Sequence, residues 1–463
     1  MPNGIFVLAW SYLVFYYNQV VGLPGSAIGA AALIASVFDA LTDPIVGTIS
    51  DRTRSRLGRR HPYLLWAAIP AALMFYLMFA LPAGFSLPML MAWLLAVQLV
   101  KRLADTFYNV PYLALGAEVS SDYEERTLVT TYRAVFFNIG RSSSGGILLL
   151  FFLRPTPEYP NGQLNPEAYA PFGAAMAVVI AIALLASAWR TRSWIPRLSK
   201  AAAARTPVLR GVLAEYRLAL RHRSFRSVLF GSVSRHVAWG MSDALGIYMA
   251  TYFWQVSTDV LVLWGFGMFG GLFSGIPFWR RVSAKLDKKP VVIIGDITYI
   301  AFFCSPYLMK IMGLWPELES PFYIPLYVFT TGFLAHFGIA AAGPLTGSML
   351  GDITDQDELE YGRRREGLIF GAESFTWKAL TGLGPLGAGI VIDLVGLSEK
   401  VAPEDVQPEL VASLGLAQGS FMLSLFIIAV FFISRYDLNR ERHRQIVASL
   451  DERARVSLRR GAR

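Results

Sequence analysis

Asp39, Asp43, Arg102, Asp105, Arg133 and Lys378 are ionisable residues set inside stretches otherwise apolar enough to cross a membrane. A charge near the centre of a bilayer costs roughly 2.5–3.5 kcal/mol on insertion scales, so such residues are rarely incidental. Both signs recur on several segments, which predicts one shared polar interior and a solute or ion that moves through it. In Ser36-Val-Phe-Asp39-Ala-Leu-Thr42-Asp43-Pro44, a spacing of four puts both carboxylates on one helical face. Pro44 has no backbone N–H to donate, which frees a carbonyl near Ala40. Two carboxylates, the Thr42 hydroxyl and that carbonyl make a hard, oxygen-rich site suited to Na+, and either acid can instead hold a proton. An ion pair that only ties helices together is the competing reading.

A second cluster follows in Lys101-Arg102-Leu-Ala-Asp105-Thr106-Phe-Tyr108-Asn109-Val-Pro111-Tyr112. Lys101 and Asp105 are four apart and Arg102 and Asp105 three apart, so one base is neutralised within the helix and one positive charge stays in excess. Thr106 and Asn109 share the next turn and are placed to complete a cation site with Asp39 and Asp43. Arg133 and Arg141 follow, beside Gly140, Gly145 and Gly146, which permit close helix approach. An arginine fork binds carboxylate, sulfonate or phosphate through two parallel hydrogen bonds. Glu373, Trp377 and Lys378 share a later span, with Lys378 about 18 Å along its helix and so near the midplane. Lys378 is expected to balance Asp39 and Asp43 when no ion is bound. Arg235, His236 and Asp243 lie on another span, where a lone histidine reads first as a packing residue.

These groups need membrane helices to hold them. The chain has 463 residues, is 54% hydrophobic and only 16% charged, with a mean hydropathy of +0.45. Soluble domains carry about 25% charged residues. Twelve stretches are apolar over the ~20 residues a spanning helix needs, at about 4–22, 26–49, 62–82, 87–118, 127–152, 170–190, 224–254, 258–279, 290–312, 321–350, 366–395 and 412–434. The net charge of +9 gathers in alternate connections: Arg52 to Arg60, Arg190 to Arg223, Arg280 to Lys289, Arg363 to Arg365 and the tail after 438. Loops between them are nearly free of bases. This positive-inside asymmetry places both termini in the cytoplasm of a multi-pass plasma-membrane protein, a bacterial inner membrane being expected. The basicity is topological, which argues against nucleic-acid binding.

The polar stretch after Arg190 divides the chain into a six-helix bundle at 1–190, a cytoplasmic linker at 191–223, a second six-helix bundle at 224–434 and a basic tail at 435–463. Equal halves match the parallel repeats of major-facilitator transporters. Ile446, Val447, Leu450 and Val456 among arginines give the tail an amphipathic pattern that suits a membrane surface. Cys304 is the only cysteine, so no disulfide framework forms. The first helix opens without a basic n-region or cleavage site, which argues against a cleaved signal peptide. No P-loop, G-x-S-x-G or H-E-x-x-H pattern occurs, so neither an enzyme nor a resident cofactor is expected.

Several strings resemble the glycoside–pentoside–hexuronide:cation symporter family, the melibiose-permease-like branch of the major facilitator superfamily. They are Tyr16-Tyr-Asn-Gln-Val-Val-Gly-Leu-Pro24, Asp39-Ala-Leu-Thr-Asp-Pro44 continuing to Asp51-Arg-Thr-Arg-Ser-Arg-Leu-Gly-Arg-Arg60, Asn109-Val-Pro-Tyr112, Tyr123-Glu-Glu-Arg126 with Tyr132-Arg133, and Phe375-Thr-Trp-Lys378. The resemblance implies an all-α integral membrane protein with the major-facilitator fold, twelve transmembrane helices in two bundles. It implies secondary active symport of a sugar or glycoside-like solute with Na+ or H+, by alternating access, in a functional monomer embedded in lipid. Asp39, Asp43, Thr42, Thr106 and Asn109 then correspond to the cation site. Lys101, Arg102, Asp105, Arg133, Trp377 and Lys378 correspond to the solute site, and Asp51 with Arg52 to the loop motif that governs the conformational switch.

The chain departs from melibiose-type members. An acid of their cation site becomes Asn109, an early sugar-contacting aspartate falls on Asn3, and two aromatic sugar contacts become Asp105 and Leu113. Loss of acids with Lys101, Arg102, Arg133 and Arg141 kept favours an anionic solute such as a hexuronide or sulfonated sugar. Two further readings are a lysophospholipid or amphiphile carrier of the same fold and a membrane sensor that does not transport.

Overall fold

The computed structural model describes residues 2–118, 123–159, 161–197, 217–362, 366–397 and 406–461. Most of the expected linker, at 198–216, and the arginines at 363–365 lie outside the described residues. Every regular element among the described residues is a helix. Its helices are α1 (Pro2–Val21), α2 (Gly25–Arg52), α3 (His61–Leu77), α4 (Leu87–Glu118), α5 (Tyr123–Ile147), α6 (Tyr169–Arg190), α7 (Arg223–Tyr248), α8 (Thr258–Lys285), α9 (Lys288–Ile311), α10 (Tyr323–Tyr361), α11 (Glu366–Thr381, resuming at Leu383–Val395), α12 (Pro408–Ser434) and α13 (Arg440–Gly461). Short π-helical turns, Leu148–Phe152 and Met249–Phe253, extend α5 and α7.

Ten of the described helices are long and apolar enough to cross a membrane. The helices α3 and α7 occupy the third and seventh expected positions without meeting that measure. The former is apolar but short, and the latter is interrupted by Arg226, Arg235 and Asp243. α10 runs to Tyr361, well past the expected end near 350. Its acidic last turns read as a loop, but they stay helical because Asp352 meets Lys288 at 2.5 Å and Asp357 meets His222 at 2.7 Å.

The chain packs as two compact units. One comprises Met1–Leu209, Trp239–Val262 and Lys378–Leu414; the other comprises Arg210–Ala238, Leu263–Trp377 and Gly415–Arg463. In the first unit, α2 and α11 meet along a seam of glycines. A Cβ on Gly389 would lie 2.0 Å from the Gly25 carbonyl oxygen, and one on Gly29 would lie 2.6 Å from the Leu386 backbone. A Cβ on Gly382 would lie 2.5 Å from the Leu33 backbone. Small residues thus let two backbones touch, as membrane helices require when hydrophobicity alone cannot drive them together. The seam is closed at one end by Asp393. Its carboxylate accepts from the backbone N–H groups of Gly25 at 2.7 Å and Ser26 at 2.8 Å. It thereby satisfies two orphan donors at the N-terminus of α2 and complements that helix's dipole. Gly22, at φ 94°, makes the turn that brings α1 round to Pro24 and α2.

In the second unit, Arg235 donates to Asp296 at 2.9 Å and to Thr346 at 3.1 Å, fully buried among α7, α9 and α10. The tail helix α13 docks on α10. Ile446 enters the apolar cluster of Phe225, Met349, Ile353 and Tyr436, His443 meets Asp355 at 3.0 Å, and Arg453 donates to the Leu359 carbonyl at 2.6 Å. The apolar residues Ile446 and Leu450, whose pattern suits a membrane surface, pack against protein here.

Candidate functional site

The glycine seam fixes what faces what further along the same two helices. Each α-helical residue advances about 1.5 Å, so the ladder that begins at Gly25–Gly389 delivers Asp39 and Asp43 to the level of Lys378. The Lys378 ammonium contacts Asp43 Oδ2 directly and lies 3.6 Å from Asp39 Oδ2. Arg102, on α4, reaches the same Asp39 oxygen at 3.9 Å. Thr106, one turn further along α4, donates its hydroxyl to Asp39 Oδ1 at 2.8 Å. Two carboxylates therefore face two cations. Of the four carboxylate oxygens, Asp43 Oδ1 is buried and has no hydrogen-bond partner among the described residues. A buried acceptor left unmade costs about 1–3 kcal/mol, and a bound cation or proton would remove that cost. Hard oxygens converging on an ammonium can hold an alkali cation in its place.

The other residues singled out from sequence fall around this centre unevenly. Thr42 turns its hydroxyl back onto its own helix, donating to the Phe38 carbonyl at 3.0 Å and the Asp39 carbonyl at 3.2 Å. Asn109 faces Asn3, which donates to it at 3.2 Å. Lys101 is buried and pairs with Asp105 at 2.5 Å within α4, its ammonium also 4.3 Å from the centre of the Phe6 ring. That pair, with Asn3, Tyr108 and Asn109, lines a small polar cleft, and Arg102 lies 5.3 Å from the centre of the same Phe6 ring. Arg133 is half-buried and lies over the Tyr112 ring at 5.6 Å. Trp377 is exposed and meets the His236 ring edge-on at 5.7 Å. Asp51 is held by Arg60 at 2.6 Å and Arg59 at 3.9 Å, and Arg60 also donates to Ser50 at 2.9 Å. The neighbouring Arg52 is exposed.

Several cross-helix pairs were not anticipated, and one of them lies in the first compact unit. Arg141 on α5 donates through Nη2 to Asp243 on α7 at 3.2 Å. Both residues stood out as charges in apolar spans, but spacing along the chain pairs residues only within a helix. The one available signal was charge balance: an aspartate in an apolar span needs a base from somewhere.

A helical chain with many apolar spans and paired charges inside them is a multi-pass membrane protein. A family profile described as MFS/sugar transport protein matches residues 2–440, and the chain belongs to that family, whose members are transporters and not enzymes. Among its relatives, the uncharacterized symporter YnaJ of Bacillus subtilis is 27% identical over 98% of this chain and 93% of its own. The isoprimeverose transporter of Lactiplantibacillus pentosus is 23% identical over 85% and 78%, and a glucuronide carrier protein homolog of Escherichia coli 22% over 98% and 93%. These names agree with the symporter family that the sequence motifs resemble. The solved nucleoside transporter NupG, in mutant form, superposes with a TM-score of 0.60 at 13% identity over 94% of this chain and 98% of its own, which gives the fold.

Proposed function

We propose that this protein is a cation-coupled symporter that carries a sugar or glycoside-like solute bearing an acidic group, driven by a Na+ or H+ gradient through alternating access. The observation that carries the reading is the Lys378 ammonium seated against Asp39 and Asp43 with one Asp43 oxygen left bare. An ammonium in that position is an internal stand-in for the transported cation. When Na+ or a proton arrives, it takes the carboxylates and Lys378 is released. Thr106 orients Asp39 during the exchange, with Thr42 and Asn109 on adjacent turns. Because the released ammonium is positive, it raises affinity for an anionic solute, and by linkage the solute raises affinity for the cation to the same degree.

Lys101, Arg102, Asp105, Arg133, Trp377 and Lys378 form the solute-binding set in this reading. Arg133 supplies a fork for a carboxylate or sulfonate, and the exposed Trp377 a face for a sugar ring. The glucuronide named for one relative is acidic, which supports the choice of solute class. Asp51, Arg52 and the arginines around them act in the conformational switch. The two halves, 1–190 and 224–434, are the moving bundles, with the linker, the basic tail and both termini on the cytoplasmic side of an inner membrane and a monomer as the working unit.

The test is Asp43→Asn in proteoliposomes. Cation-dependent accumulation should fall to the passive level, while solute exchange down its own gradient persists in part. Normal concentrative uptake by the variant would remove the coupling assignment.

A further inference from the structure

Two ion pairs of opposite polarity bridge helices in the first compact unit. At α2–α11 the acids belong to α2 and the base to α11, as Asp43 and Lys378. At α5–α7 the base belongs to α5 and the acid to α7, as Arg141 and Asp243. We propose that Arg141 is a binding subsite for the anionic group of the solute, and that Asp243 is its built-in competitor. This rests on the reading of the protein as a symporter of acidic sugars and adds Arg141, about two turns beyond Arg133 on α5, to the groups that receive the acid.

Four observations carry the proposal. First, the pair is only half made. Arg141 uses one nitrogen, Nη2, at 3.2 Å, and its buried Nε has no hydrogen-bond partner among the described residues. A guanidinium satisfied by a carboxylate presents two parallel bonds, so this one has donor capacity to spare and an exchangeable ligand. Second, the side chains are 27% and 40% exposed, although Arg141 lies in a helix apolar and long enough to cross a membrane and Asp243 in the seventh expected span. A charge in hydrocarbon is costly, so in this proposal the opening faces a hydrated interior from which a solute reaches the pair. Third, the arginine is rigidly mounted. A Cβ on Gly4 would fall 2.7 Å from the Arg141 backbone nitrogen and 1.9 Å from the Phe137 carbonyl oxygen, so α1 presses on α5 at this level. Fourth, the acid is mechanically joined to the cation site. A Cβ on Gly240, one turn before Asp243, would lie 3.2 Å from the Thr381 carbonyl oxygen and 3.3 Å from Pro385. Thus α7 leans on α11 one turn beyond Lys378.

The consequence is a lock with two complementary keys. A cation displaces Lys378 from the acids of α2, and an anion displaces Asp243 from the base of α5. Either ligand alone leaves one bridge closed. Both together open the charged bridges that tie α7 to α5 and Lys378 of α11 to the acids of α2, while α7 and α11 stay in contact. Neutral glycosides cannot turn the second key.

The experiment is counterflow in proteoliposomes with a panel of glucuronides, sulfonated sugars and neutral glycosides, on wild type, Arg141→Gln, Arg141→Lys and Asp243→Asn. Cation-dependent tryptophan fluorescence of each variant reports the Asp39–Asp43 site independently and shows that the protein is folded. In Asp243→Asn, the half-saturation concentration for acidic solutes should drop by about tenfold, since the guanidinium has lost an ionic partner worth that factor or more. Arg141→Gln should lose acidic solutes, and Arg141→Lys, which keeps the charge but not the fork, should recover only part. All variants should keep their cation response. Wild-type handling of acidic solutes by both Arg141→Gln and Asp243→Asn would overturn the subsite while leaving the symporter reading intact. Transport of neutral glycosides alone by the wild type would overturn both.

Discussion

At the scale of single residues, the proposed competition between Lys378 and a coupling cation has a definite signature. With Lys378→Gln, Arg102, at 3.9 Å from Asp39, is the one base left at ion-pair distance from Asp39 or Asp43 among the described residues. The carboxylates should then bind cations more tightly, by about tenfold if the lost bond has the strength usual for charged partners, while active uptake disappears because the empty site lacks its own counter-charge. Fluorescence titration with Na+ and with protons, run beside uptake, checks both halves; unchanged or weaker cation binding would contradict the stand-in role. Residue types made much of this centre readable. Acids four apart on an apolar helix shared a face, and the Lys101–Asp105 spacing foretold their 2.5 Å contact. Side-chain rotamers were not readable. Thr42 has the right chemistry for a cation ligand, yet its hydroxyl satisfies carbonyls of its own turn, as threonines in helices commonly do.

At the scale of helices, the seam between α2 and α11 is the element that aligns the acids with the lysine. Gly389→Ala sets a methyl 2.0 Å from the Gly25 carbonyl oxygen, backbone that cannot swing aside. Overpacking of this kind costs roughly 1–3 kcal/mol, so the variant should melt at lower temperature in detergent and lose uptake. Gly246→Ala, on α7 with nothing within 4 Å of its would-be Cβ, is the control and should melt no lower than wild type. Equal melting of the two variants would dismiss the seam. The helices themselves were legible as apolar runs. Their ends were less so. The acids that close α10 look like loop residues until Lys288 and His222, from other helices, are brought against them. The pairings of Arg141 with Asp243 and Arg235 with Asp296 were hidden for the same reason: periodicity describes one helix at a time.

At the scale of the molecule, the charge asymmetry of the loops sets the orientation, and the lone cysteine makes that measurable. Cys304 is buried in α9, so a membrane-impermeant maleimide should leave the native protein unlabelled. A single cysteine added ahead of Pro2, or after Gly461, should react only in inside-out vesicles; labelling from the cell exterior would reverse the topology. The balance of charges where α2 meets α11 then has an electrical consequence. Two acids opposite two bases sum to zero, so in the proposed cycle this centre adds no net charge to the unloaded carrier. Loaded with one monovalent cation and one singly acidic sugar, it is again uncharged. A complete turnover of such a cycle moves no net charge, so membrane voltage does not drive it and the concentration ratio of the co-transported ion alone sets the accumulation expected of it.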